Sequence, residues 1–107
     1  MSGEAAAFRV DETLLDVDPV SGRPSRIVQQ SDELLTLLYS PTGYDDQQPH
    51  NEDEIYVVAR GTATLVVGDE SLPLATGDAA FVPAKADHRF EAMTDDFAVW
   101  AVFPGKI

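Results

Sequence analysis

Glu54-Ile55-Tyr56-Val57-Val58-Ala59-Arg60-Gly61-Thr62-Ala63-Thr64-Leu65-Val66-Val67 is dense in β-branched and aromatic residues, and Gly61 is its one break. Such a stretch reads as two strands joined by a tight turn. Side chains alternate along a strand, so Glu54, Tyr56 and Val58 point one way and Ile55 and Val57 the other. Both faces are largely apolar, whereas the outer face of a small antiparallel barrel is wet unless something covers it. N-terminal strands or a second subunit would supply that cover. A homodimer is expected, because cyclic dimers are the commonest oligomers.

Outward from this pair the same rhythm continues. Pro41-Thr42-Gly43, Gly68-Asp69, Gly77-Asp78, Pro83 and Pro104-Gly105 punctuate short runs of Val, Ile, Tyr, Phe and Thr. Strands are expected at Ser25–Gln29, Glu33–Ser40, Gln47–Asn51, Glu54–Arg60, Thr62–Val67, Glu70–Ala75, Ala79–Val82, His88–Met93 and Phe97–Phe103. No segment keeps a helical apolar stripe through three turns. Ser31 could cap a helix, but Thr36 and Tyr39 favour a strand there. The reading is an all-β, antiparallel barrel in a single domain over residues 8–107, with residues 1–7 as a flexible tail.

A chain of 107 residues fits one core. Nineteen acidic against seven basic residues give a net charge of -12, which repels nucleic-acid backbones and anionic lipid surfaces. No nucleic-acid or membrane partner is therefore expected, and a small-molecule ligand is. The acidity fits either adaptation to high salt or an ordinary acidic surface. Without cysteine, disulfides, thiolate nucleophiles and Cys-based zinc sites are excluded. Apolar runs such as Ala98–Phe103 fall far below the roughly 20 residues that span a bilayer. The N-terminus lacks a basic segment followed by an apolar one, so a cytoplasmic location is expected.

The chemistry then rests on oxygen and imidazole. The chain has two histidines, His50 and His88. Gln48, His50 and Glu54 have even spacing and share one inward face if the chain turns at Asn51–Asp53, while His88 must arrive from another hairpin. Metal ligands must come within about 2.0–2.2 Å of the ion, which needs a rigid frame. Ligating imidazoles also need an acceptor for their second nitrogen; Asp53 and Asp87 are the candidates near in sequence. Alternatively Glu54 is a buried acid paired with Arg60 or Arg89, since a buried carboxylate needs a cation or a metal.

Taken together, residues 43–61 and 77–92 resemble the two motifs of the cupin superfamily, G-x5-H-x-H-x3,4-E-x6-G and G-x5-P-x-G-x2-H-x3-N. His50, Glu54 and Gly61 fall on the second histidine, glutamate and closing glycine of the first, with Gly43 one residue out of register. Gly77, Pro83 and His88 match the second. Three positions depart: Gln48 replaces the first histidine, Lys85 the glycine and Ala92 the asparagine. The resemblance implies a jelly-roll barrel with one mononuclear divalent metal (Fe, Mn, Ni, Co or Zn) held by His50, Glu54 and His88, Gln48 being a possible fourth ligand. Two imidazoles and a carboxylate resemble the facial triad of non-haem iron oxygenases. Glu54 would ligate or act as general base. Tyr56 and Phe90, which share the inward parity, are expected to line the pocket. Arg89 is expected in the substrate pocket as well, and it and Lys85, which flank the second motif, could steer an anion. Three functions stay open: a dioxygenase- or isomerase-like enzyme, a non-catalytic binding or sensor module, and a metal-free structural protein.

Overall fold

A computed structural model describes residues 4–17, 24–41, 45 and 49–104. Its elements are a short helix α1 (Val10–Leu14) and strands β1 (Ser25–Gln30), β2 (Leu34–Tyr39), β3 (Glu54–Arg60), β4 (Thr62–Val67), β5 (Glu70–Ala75), β6 (Ala79–Val82), β7 (His88–Glu91) and β8 (Ala98–Pro104). All the strand pairs are antiparallel. They form a five-stranded sheet ordered β1-β2-β8-β3-β6 and a three-stranded sheet ordered β5-β4-β7, the two-sheet jelly roll expected from the sequence. Among the described residues no helix is long and apolar enough to cross a membrane.

The core follows the parity. Glu54, Tyr56 and Val58 are buried while Ile55 is exposed and Val57 half-buried. Tyr56 and Val58 of β3 meet Leu65 of β4, Val82 of β6, Phe90 of β7 and Val99 of β8 in one cluster that fills the space between the sheets. Its aromatic spine runs from Tyr56 to Phe90 (ring centroids 4.7 Å apart) and on to Phe97 (4.8 Å), edge-to-face contacts that the ring quadrupoles favour.

A bulge between Val58 and Arg60 sets Arg60 opposite Ala98. The extra residue turns Arg60 to the outer face, where its guanidinium meets Asp11 of α1. That pair places α1 over the outer face, and there Leu38 and Ala98 are fully buried. The cover required by the two-sided apolar strands is thus partly supplied by the N-terminal segment, as a helix and not as strands. Farther along the same face Ile55 and its cross-strand partner Phe81 stay 38% and 57% exposed. The helix has too few residues to show an apolar stripe. Thr13, buried, closes it by donating its hydroxyl to the Arg9 carbonyl at 2.8 Å.

One expected strand is corrected. Of the strand expected at Gln47–Asn51, residues 47 and 48 lie outside the described residues, and residues 49–51 are not in a strand, the chain bending at Asn51 and Glu52. The bend is the tight turn that brings His50 and Glu54 to one side. At the far end of β3, Gly61 has φ +73°, and a Cβ there would stand 2.1 Å from Thr94 Oγ1 and 3.1 Å from the Phe97 Cα. Only glycine fits both the conformation and the space.

The motif departures have a conformational meaning. Among the described residues the two non-glycine positions with positive φ are Lys85 (69°) and Ala92 (53°), where the cupin pattern has glycine and asparagine. Those two types tolerate left-handed backbone, whereas other L-residues lose about 1–2 kcal/mol there. Lys85→Gly and Ala92→Asn should each stabilise the fold by about 0.5–1 kcal/mol, raising the midpoint of chemical denaturation. An unchanged or lower midpoint contradicts this.

Candidate metal centre

Glu54 opens β3 in the larger sheet and His88 opens β7 in the smaller one, so the two sheets together bring these residues to one interior point. His50 joins them from the bend before β3. Two hydrogen bonds fasten that bend to the turn before β7: Lys85 N–H donates to the His50 carbonyl at 2.6 Å, and Ala84 N–H donates to Asp53 Oδ1 at 2.8 Å. The carriers of the two histidines are thereby held in fixed relation.

Both imidazoles are anchored through Nδ1 to main-chain carbonyls. His50 Nδ1 lies 3.0 Å from the Glu52 oxygen and His88 Nδ1 lies 2.9 Å from the Ala86 oxygen. A carbonyl can only accept, so each Nδ1 carries a proton and each Nε2 can present a lone pair. Both Nε2 atoms face the same carboxylate oxygen, Glu54 Oε1, at 3.0 Å for His50 and 3.3 Å for His88. His88 Nε2 is buried and makes no well-formed hydrogen bond. Three electron-pair donors converging within 4.8 Å repel one another unless protons or a cation stand among them. This donor set, with its carbonyl-anchored imidazoles, fits a divalent metal.

Glu54 and His88 are almost fully buried, whereas the His50 side chain keeps 23% exposure. Access to the group is therefore from the His50 side. The His50 ring packs edge-on against Phe103 at 5.2 Å and stands 5.0 Å from the His88 ring. Glu54 takes neither arginine as partner: Arg60 pairs with Asp11, and Arg89 pairs with Glu91 at 2.7 Å.

Tyr56 and Phe90 lie fully inside the barrel, with the Tyr56 ring 6.2 Å from that of His88. Arg89 does not join them. It points to the opposite face of β7, exposed, because residues alternate between His88 and Phe90. Asp53 and Asp87 do not orient the imidazoles; main-chain carbonyls do. The Asp53 carboxylate instead ties the two turns, and the Asp87 carbonyl accepts Gly68 N–H. Gln48 lies outside the described residues. The sequence reading also passed over Asp45, a buried carboxylate with no motif around it to mark it.

The His88 pKa is raised above 6.5. Burial works against its charge, but the facing Glu54 carboxylate, the Ala86 carbonyl and the charge of Asp45 outweigh that. A raised pKa in the folded state adds stability that is complete below 6.5 and is lost as pH climbs through the folded value. In metal-free protein, the His88 ring signals in an NMR titration should show a midpoint above 6.5. A midpoint at or below that value contradicts the assignment.

Comparison with known proteins agrees with this architecture. Residues 35–104 match the cupin domain family. An uncharacterized protein of Streptomyces coelicolor, SCO3923, is 33% identical over 98 residues, which is 91% of this chain and 93% of that protein. Among solved structures, TT1209 from Thermus thermophilus superposes with a TM-score of 0.66 at 30% identity, covering 78% of this chain and 83% of that one. KdgF from a Halomonas species superposes with a TM-score of 0.69 at 23% identity, over 78% and 80%.

Proposed function

This chain belongs to the cupin family, and from that premise we propose that it is a metal-dependent cupin acting on a small polar organic substrate, in the manner of a dioxygenase or isomerase. The observation that carries the reading is the convergence of His50 Nε2 and His88 Nε2 on Glu54 Oε1, with His88 Nε2 buried and lacking a hydrogen bond. A bound divalent iron, manganese, nickel, cobalt or zinc ion would supply Lewis-acid polarisation of a substrate oxygen or, if redox-active, a site for dioxygen.

The residues have separate tasks. His50 and His88 hold their lone pairs in place through the Glu52 and Ala86 carbonyls. Glu54 contributes negative charge as a ligand and is the group suited to take a proton from a substrate on the open side. Tyr56 and Phe90 keep water from the inner side of the site. The partial exposure of His50 gives a small molecule its approach.

Elemental analysis of untagged protein tests the metal, with near-stoichiometric content expected in the parent and loss in His50→Ala. Equal content in both overturns the reading. Oxygen-uptake and product screens with the iron-loaded protein then test turnover; a ligand bound tightly and never converted would mark a binding module instead.

A further inference from the structure

Among the described residues two carboxylates are buried, Glu54 and Asp45, and only Glu54 belongs to the triad. Asp45 precedes the bend that carries His50, and it spans the two sheets. Its Oδ2 accepts Phe90 N–H of β7 at 2.8 Å, and its Oδ1 accepts the Tyr39 hydroxyl at the end of β2. Among the described residues, strand β7 pairs with β4 alone. The carboxylate accepts the Phe90 N–H as the carbonyl of a neighbouring strand would. Donors on both oxygens suit the ionised form. The Tyr39 and Phe90 rings lie 6.4 Å apart across the same seam.

Phe90 is two residues beyond His88 on the same face of β7. A shift of β7 at Phe90 is transmitted to His88 by a rigid strand. We infer that Asp45, backed by Tyr39, is a positioning residue of the metal centre: it clamps β7 to the end of β2 and so fixes where His88 Nε2 stands relative to His50 and Glu54. The inference rests on the reading of the triad as a metal centre.

The variants separate positioning from general stability. Asp45→Ala leaves Phe90 N–H without its acceptor, Asp45→Asn keeps an acceptor, and Tyr39→Phe removes only the hydroxyl that backs the carboxylate. Cobalt(II) titrations, followed by visible absorption well below the melting temperature, should give about 10-fold weaker binding and displaced bands for Asp45→Ala. Asp45→Asn should recover most of the affinity, and Tyr39→Phe should fall between. In metal-free protein, where two histidines make ring signals simple to assign, Asp45→Ala should move those of His88 and leave those of His50.

A folded Asp45→Ala protein with parental cobalt affinity and unmoved His88 signals overturns the inference. If Asp45→Ala does not fold, Tyr39→Phe decides it by the same two readouts. If the parent takes up no cobalt, the metal reading fails, and the His88 signals alone uphold or overturn the positioning role.

Discussion

Replacing Glu54 with glutamine should weaken divalent-metal binding at least about 100-fold, more than loss of an outer partner of a metal site does. The reason is charge. Among the described residues Glu54 is the one anion facing both Nε2 atoms, so the variant would leave two neutral imidazoles and a neutral amide, a poor match for a divalent ion. The amide can still donate to one Nε2 and accept from neighbours, so the fold survives. Competition with a chelating dye measures the effect. A loss of less than about threefold, within the scatter of one neutral hydrogen bond, would remove Glu54 from the ligand set.

Phe90→Ala should be the most damaging change outside the three candidate ligands. The ring is 2% exposed and touches Tyr56 at 4.7 Å and Phe97 at 4.8 Å. Truncation leaves a cavity between the sheets, and large-to-small core changes of this kind cost about 3–5 kcal/mol. A domain of this size loses about 4–8 °C of Tm per kcal/mol, so the drop should be unmistakable in a thermal melt. Phe90→Leu should recover much of it by refilling the volume. A melt for Phe90→Ala within a few degrees of the parent would show that the aromatic spine is not what holds the sheets together.

Much of the architecture could be read before any coordinates, and the reasons are specific. Strands β3 to β6 have the bounds that Gly61, Gly68-Asp69, Gly77-Asp78 and Pro83 impose, because turn residues mark where extension must stop. The inward parity of Glu54, Tyr56 and Val58 held because a buried face selects its own register. His50, Glu54 and His88 were recognisable as a set since their motif spacing was matched twice.

What could not be read depends on tertiary contacts. Helix α1 meets the barrel through Asp11 and Arg60 on the outer face, a contact between residues about fifty positions apart in the chain. The acceptors that orient both imidazoles are main-chain carbonyls, which carry no residue-type signal. Asp45 looks like any loop aspartate until β7 is seen to need a partner at Phe90. Arg89 is the opposite case: strand alternation from His88 and Phe90 already placed it outside, and its nearness in sequence misled.

Lys85 and Ala92 show how a departure from a motif can be silent about chemistry and informative about backbone. Both keep the left-handed conformation that the family's glycine and asparagine serve, so the turns before and after β7 retain their shape at a cost in stability. His88 lies between these two turns, and the Lys85 N–H of the first also holds the His50 carbonyl.

The central claim is that one divalent ion sits among His50, Glu54 and His88. Crystals grown with cobalt(II), with diffraction recorded at the cobalt absorption edge, test it most directly. The account predicts a single anomalous peak within about 2.0–2.2 Å of both Nε2 atoms and a Glu54 oxygen; cobalt found only elsewhere, or none at that point in fully loaded crystals, would contradict it.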